Sequence, residues 1–269
     1  MTRRTVPTLV VAFGVATLGV ASAAQSARMP DKEVKALMET IDKDVERFIK
    51  AMAPEYRKAT IRSATGEVDV GAYLKDLEDH VKKMKTRFGS KYSASTEVLA
   101  FLRHTDPIRA RHARGAALFG GAAEWPRLDG DVARLSAEYG IRWGTDPDAW
   151  QARRVSTDEL MQELGSLGRT VKDFRKALEN AAKQAGVAKS ESKAVLDTVK
   201  RMEKVAKDIE KAVGKGADAT GALALFGSSM DEAKRFVDER GLSAAVASSW
   251  GPVDEHWGEV RSALRSSGS

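Results

Sequence analysis

The densest set of side chains able to do chemistry is the run RHTDPIRARHAR, where Arg103, Arg109, Arg111 and Arg114 stand beside His104 and His112. Clustered guanidiniums offer forked N–H donors and fixed positive charge, the combination that clamps a phosphate, a carboxylate or a polyanion. The segment itself reads as irregular, and the same residues suit a solvated loop or helix face whose arginines pair with carboxylates of a neighbouring helix; both readings stand at this point. If the run is an anion or partner site, alanine at Arg109 and Arg111 must weaken partner binding.

The remaining histidines are His80 and His256. Four-helix di-metal centres place a Glu three residues before each ligating His so that both point inward. Here those positions hold Leu77, Phe101, Arg109 and Val253, so that centre is excluded. A Met/His pair could hold non-covalent haem, with His256 next to Trp257 and Met38, Met52, Met84 and Met202 on apolar stripes. Methionine at such positions ordinarily fills core space, so neither metal nor cofactor is expected. The chain has no cysteine, which removes disulfides, thiolate metal sites and Cys nucleophiles together. There is no GxSxG elbow, Walker loop, HExxH or dinucleotide fingerprint. The expected protein is not an enzyme.

Its start reads as a leader. A basic Met1-Thr2-Arg3-Arg4 precedes an uncharged run from Val6 to Val20, and Ala21-Ser22-Ala23 supplies the small residues a signal peptidase reads. Residues 1–23 are therefore expected to be a cleaved signal peptide. The fully apolar part is short for a membrane span, which needs about 20 residues. The paired arginines are a poor match to the twin-arginine route, so the general secretory route to a periplasmic or extracellular location is expected. No transmembrane segment is expected after the leader. The formal charge of +6 falls by two when Arg3 and Arg4 leave, which favours solubility and gives no reason to expect a nucleic-acid partner. A protein partner is open, as is the oligomeric state.

What must position these residues is a set of helices. Val34, Met38, Ile41, Val45, Phe48 and Met52 recur in alternating steps of 4 and 3, a heptad-like, coiled-coil seam. A shift of 126 finds the same steps at Leu160, Leu164, Leu167, Val171, Phe174 and Leu178. Val70, Leu74, Leu77, Val81, Met84 and Phe88 match, at a shift of 125, Val195, Val199, Met202, Ala206, Ile209 and Val213. Ala94, Val98 and Phe101 match Ala219, Leu223 and Phe226 at the same shift. So do Trp125, Leu128, Val132, Leu135 and Tyr139 with Trp250, Val253, Trp257, Val260 and Leu264.

The expected fold is all-α, with two tandem, internally duplicated four-helix units at 29–140 and 155–265. Ser156 and Glu159 read as a capping box. Gly89 and Gly214 read as left-handed helix terminators. The two Trp–Gly/Pro stretches read as openings of the fourth helix in each unit. Residues 141–154, with two glycines and a proline in Gly140–Asp148, read as a linker that Trp143 and Trp150 pack onto something. TIRSATGEVDV allows a brief extended turn, and 266–269 should fray. The helix from Lys189 to Lys215 carries its charges at i, i+4 spacing, which solvates an exposed face.

EVKALMETIDKDVERF, GEVDVGAYLKDLEDHVKKMKTRF, YSASTEVLAFLRH and AAEWPRLDGDVARL resemble a loose set of exported bacterial helical proteins without an assigned function. The resemblance implies export and helicity and adds no activity. The expected role is binding or scaffolding through surfaces in the cell envelope. The alternative is a small-ligand or cofactor carrier with a cavity inside one bundle. A carrier requires a polar or roomy interruption in one seam; a surface binder requires two dry cores and an exposed patch.

Overall fold

The computed structural model describes residues 28–63, 66–115 and 120–264. The expected signal peptide and the tail 266–269 lie outside the described residues. The fold is all-α: among the described residues the only sheet is a two-stranded hairpin. No helix among them is long and apolar enough to cross a membrane.

The first set comprises α1 (Asp31–Ala51), a one-turn α2 (Pro54–Arg57), the hairpin of β1 (Thr60–Ser63) and β2 (Gly66–Asp69), then α3 (Val70–Arg87), α4 (Ser95–Ala113) and α5 (Trp125–Glu138). The second comprises α6 (Thr157–Gln184), α7 (Lys189–Gly214), α8 (Thr220–Glu239) and α9 (Ser243–Leu264). Local chemistry sets the starts. Asp31 and Glu33 occupy the first turn of α1, where carboxylates oppose the helix dipole. Asp69 accepts from the Ala72 N–H at the head of α3. Ser156 and Glu159 form the reciprocal capping box at α6.

In each set the four long helices form a ring in which sequence neighbours pack antiparallel and the last packs on the first. Lys85 on α3 meets Asp42 on α1 at 2.5 Å, and Arg175 on α6 meets Glu203 on α7 at 2.6 Å. Phe48 meets Trp125 edge-on, with ring centres 5.8 Å apart, and Phe174 meets Trp250 edge-on at 5.0 Å. Two apolar clusters result, one from Val34 to Trp150 and one from Leu160 to Leu264. The seam residues are buried in both except Val213, Leu223 and Trp250, which are partly covered. Each large apolar side chain so buried contributes about 1.5–3 kcal/mol.

Residues 141–154 wrap the first core. Ile141 and Trp150 are buried in it, and a 3-10 turn runs over Pro147–Ala149.

Three expectations need correction. Trp125-Pro126 does open α5, but Trp250-Gly251-Pro252 lies inside α9, which begins two turns earlier at Ser243. SerAlaAla-type small residues before Trp250 continue the helix, so the proline does not start it. Second, Gly89 has no left-handed backbone and Gly214 is helical; the terminator after α7 is Gly216 at φ +62°. Third, the arginine-rich segment is not irregular, because α4 runs unbroken through Pro107 to Ala113.

Candidate functional site

Antiparallel packing places the start of the first helix, the end of the second, the start of the third and the end of the fourth together in each bundle. The two bundles meet through these ends. Thr157 at the head of α6 donates to Asp31 Oδ2 at the head of α1 at 2.6 Å. The Asp158 N–H donates to the Ser90 carbonyl at 3.0 Å. Gly216, in the α7–α8 turn, lies so close to Pro30 that a Cβ there would stand 3.1 Å from the proline ring.

Arg154 closes one side of this junction. Its side chain is 1 % exposed, and its Nη2 donates to Asp31 Oδ1 at 2.7 Å and to the Met29 carbonyl at 2.9 Å. Its other terminal nitrogen is ion-paired with the buried Glu138, whose second oxygen accepts the Met29 N–H at 3.0 Å. Ser93 and Ser95 hydroxyls donate to the Arg154 carbonyl at 2.8 and 3.0 Å, and the Tyr139 hydroxyl donates to the Ser93 carbonyl. Burial, then the neighbouring Arg28 charge, lowers the Arg154 guanidinium to about 10 against the pull of Asp31. Asp31 is held below its usual value: burial alone would raise it, but Thr157, Arg154 and Arg28 together outweigh burial. Such a network is stable only while every member keeps its partner.

Arg28 borders the other side. Its side chain is 8 % exposed, and its Nη2 reaches Asp31 Oδ1 at 3.4 Å and Thr157 Oγ1 at 3.3 Å. Its Nη1 is buried and has no acceptor among the described residues. Burial lowers this guanidinium too, opposed by Asp31. Beside it opens a cleft of about 370 Å³, lined among others by Lys32, Lys215, Val213, Leu223 and Leu264. A buried N–H without an acceptor costs about 1–3 kcal/mol, more when charged.

The residues singled out in the sequence are all on α4 or its end, and they do not converge. Arg109 forks onto Asp106 at 2.7–2.8 Å and lies 5.6 Å from the Trp143 ring centre. Arg103 Nε donates to the Pro147 carbonyl at 3.3 Å. These two fasten residues 141–154 to α4. His104 stacks on Tyr73 at 4.1 Å, with its Nε2 2.9 Å from the Tyr73 carbonyl, and His80 lies 5.1 Å away. His112 faces Trp125 at 6.2 Å. Arg111 is half-buried and Arg114 is exposed just beyond the last turn. Among the described residues no group of three or more His, Cys, Asp or Glu is arranged to hold a metal ion.

Sequence reasoning missed Arg28, Asp31, Glu138 and Arg154, which are scattered singly and form no dense run. The available signal was the recurring offset in the apolar pattern: a shift of 126 carries Arg28-Met29-Pro30-Asp31 onto Arg154-Val155-Ser156-Thr157. In a second groove of about 300 Å³ between α7 and α8, Arg240 pairs with Glu191 at 2.9 Å and Glu232 accepts from Thr198 at 2.8 Å.

Neither a protein-family model, nor a curated protein, nor a solved structure matches the chain.

Proposed function

We propose that this chain is an exported, non-enzymatic binding protein of the cell envelope whose binding site is the junction between its two bundles. The observation that carries this reading is the cleft of about 370 Å³ between the bundles, lined by the buried Arg28 together with Lys32 and Lys215. That volume lies in the range of small-ligand sites, about 300–1,000 Å³. The carrier alternative thereby changes place, because the cleft lies between bundles and not inside one. Native mass spectrometry of protein recovered from its own envelope fraction tests the reading. A defined additional mass of small-molecule size is the expected result; a bare chain would count against it.

Two finer statements belong to the same proposal. The bundles are two copies of one ancestral four-helix unit, supported by identical ring order and by the paired Phe48–Trp125 and Phe174–Trp250 contacts. Residues 1–23 direct secretion to a periplasmic or extracellular location. Charged substitutions within Leu9–Val15 should trap the protein in the cytoplasm, and continued secretion would refute export by this leader.

A further inference from the structure

The outward face of α7 carries Lys189, Lys193, Lys200, Lys204, Lys207 and Lys211, every one of them exposed. At about 100° per residue they fall within a sector of about 60°, opposite the buried Val199, Met202 and Ile209. At about 1.5 Å per residue the row is about 33 Å long. Among the described residues none of these lysines has an ion-pair partner. Two acids of the same helix are drawn elsewhere: Glu203 meets Arg175 on α6 at 2.6 Å, and Glu191 meets Arg240 at the end of α8 at 2.9 Å. Asp197 and Asp208 flank the row on one side, and Glu203 and Glu210 on the other.

Helix stability does not account for this row. Like charges at i, i+3 and i, i+4 repel. Lys189, in the first turn, opposes the helix dipole. The offset of 125 that aligns the apolar stripes of α3 and α7 sets Lys75, Asp79, Lys82 and Thr86 against Lys200, Lys204, Lys207 and Lys211. The helix in the same ring position of the first bundle therefore does without it.

We propose that this ridge docks a linear acidic polysaccharide, one carboxylate-bearing chain lying along α7. Charge complementarity supports the assignment. From Lys200 to Lys211 successive lysines lie about 4.5–6 Å apart along the axis, a spacing that suits a polymer with an acid group on every sugar. Lysine is a compact, hydrated charge on a flexible stem, so the row holds such a chain by charge and not by a fixed fork. The flanking acids confine the positive strip to the width of one chain. A flat anionic membrane would press against Asp197, Asp208 and Glu210 as well. Helices that lie on membranes also insert Trp, Phe or Leu, whereas the large apolar side chains of α7 are buried or, like Leu196, half-buried. Binders of single-stranded nucleic acid stack bases on aromatic side chains, and α7 has none. Docking here is independent of binding at the junction cleft.

Isothermal titration of the chain with polygalacturonate at low salt, and with dextran as the uncharged control, tests this. Polygalacturonate should bind, more weakly as salt rises, and dextran should not. Lys200→Gln, Lys204→Gln and Lys207→Gln together should weaken binding about tenfold or more, with helicity retained by circular dichroism. Removing the same charge from exposed positions of the first bundle, by Lys43→Gln, Lys75→Gln and Lys82→Gln together, should leave the affinity unchanged. Absence of polygalacturonate binding, or equal weakening by the two triple variants, overturns the docking ridge. Tighter binding to phosphatidylglycerol vesicles or to oligothymidylate than to polygalacturonate overturns the polysaccharide assignment.

Discussion

Arg154 and Arg28 enter the junction just ahead of α6 and α1, and both are buried, yet Arg154 is held by two carboxylates and Arg28 by one. The Arg154 guanidinium meets Asp31, Glu138 and the Met29 carbonyl, while Arg28 reaches only Asp31 and Thr157 at the long end of hydrogen-bond range. The contrast is one of structural weight: the side chain with more charged partners holds the junction, and the other adds less.

The largest expected effect comes from removing the arginine with more charged partners. Arg154→Ala strands the buried Glu138 and deprives Asp31 of its strongest partner, and breaking a buried pair from one side costs about 3–5 kcal/mol. Arg28→Ala leaves Asp31 with Arg154 and Thr157 and removes an N–H already without an acceptor, so it should cost about 1 kcal/mol or less. Urea unfolding of both variants compares them. Equal losses would show that the two arginines are equally structural and that the contrast is empty.

The two cores offer a second comparison of nearly the same size. Phe48 and Phe174 are both fully buried and each meets a tryptophan edge-on, so alanine at either should cost about 3–5 kcal/mol. Because the clusters share no buried residue, each loss should fall on its own bundle. Calorimetry should show Phe174→Ala lowering one unfolding step and Phe48→Ala lowering the other. A single step lowered equally by both would mean that the Arg154–Asp31–Thr157 junction welds the bundles into one cooperative unit.

Smaller again is the effect of the two prolines that look alike in sequence. Pro126 occupies the first turn of α5, where its missing N–H leaves no bond unmade. Pro252 lies inside α9, where it removes a helical bond and crowds the carbonyl four residues back. Pro252→Ala should therefore raise stability, by up to about 3 kcal/mol. Pro126→Ala should be neutral or lower it by less than about 1 kcal/mol. Thermal unfolding followed by circular dichroism checks the sign, and stabilisation by Pro126→Ala would contradict the helix starts assigned here.

That pair also marks how far sequence reading reached. Apolar steps of 4 and 3 located every long helix face, because burying a stripe demands that spacing whatever the tertiary detail. The capping box of Ser156 and Glu159 was legible because both partners lie within one turn. Helix boundaries were less legible: the start of α9 at Ser243 depends on small residues whose helicity is decided by packing onto α6. The arginines of α4 attracted attention by density, and the structure spends Arg103 and Arg109 on fastening residues 141–154. Arg28 and Arg154 carry no local signature, since the partners that bury them, Thr157 for Arg28 and Asp31 and Glu138 for Arg154, include residues distant in the chain. Only extending the repeat upstream of α1 would have aligned them.

The gentlest test of the comparison uses acid. Asp31 is the carboxylate that both arginines share, and in the fold it is held below its usual value. A depressed carboxylate contributes stability that is fully present above the unfolded value of about 3.9 and is lost as pH falls through the folded value. The groups facing it are Arg28, Arg154 and Thr157, with Glu138 bound to the same Arg154. Lowering the pH from 6 toward 3 should thus reduce the melting temperature of the parent chain more than that of Asp31→Asn, whose residue 31 cannot titrate. If Asp31→Asn loses as much as the parent, then Asp31 adds nothing that its amide cannot, and the junction is held by Glu138 and Arg154 alone. If the parent loses more, the shared carboxylate is what makes the two sides of the junction one electrostatic unit, and acid should loosen the cleft along with the Arg154 contact.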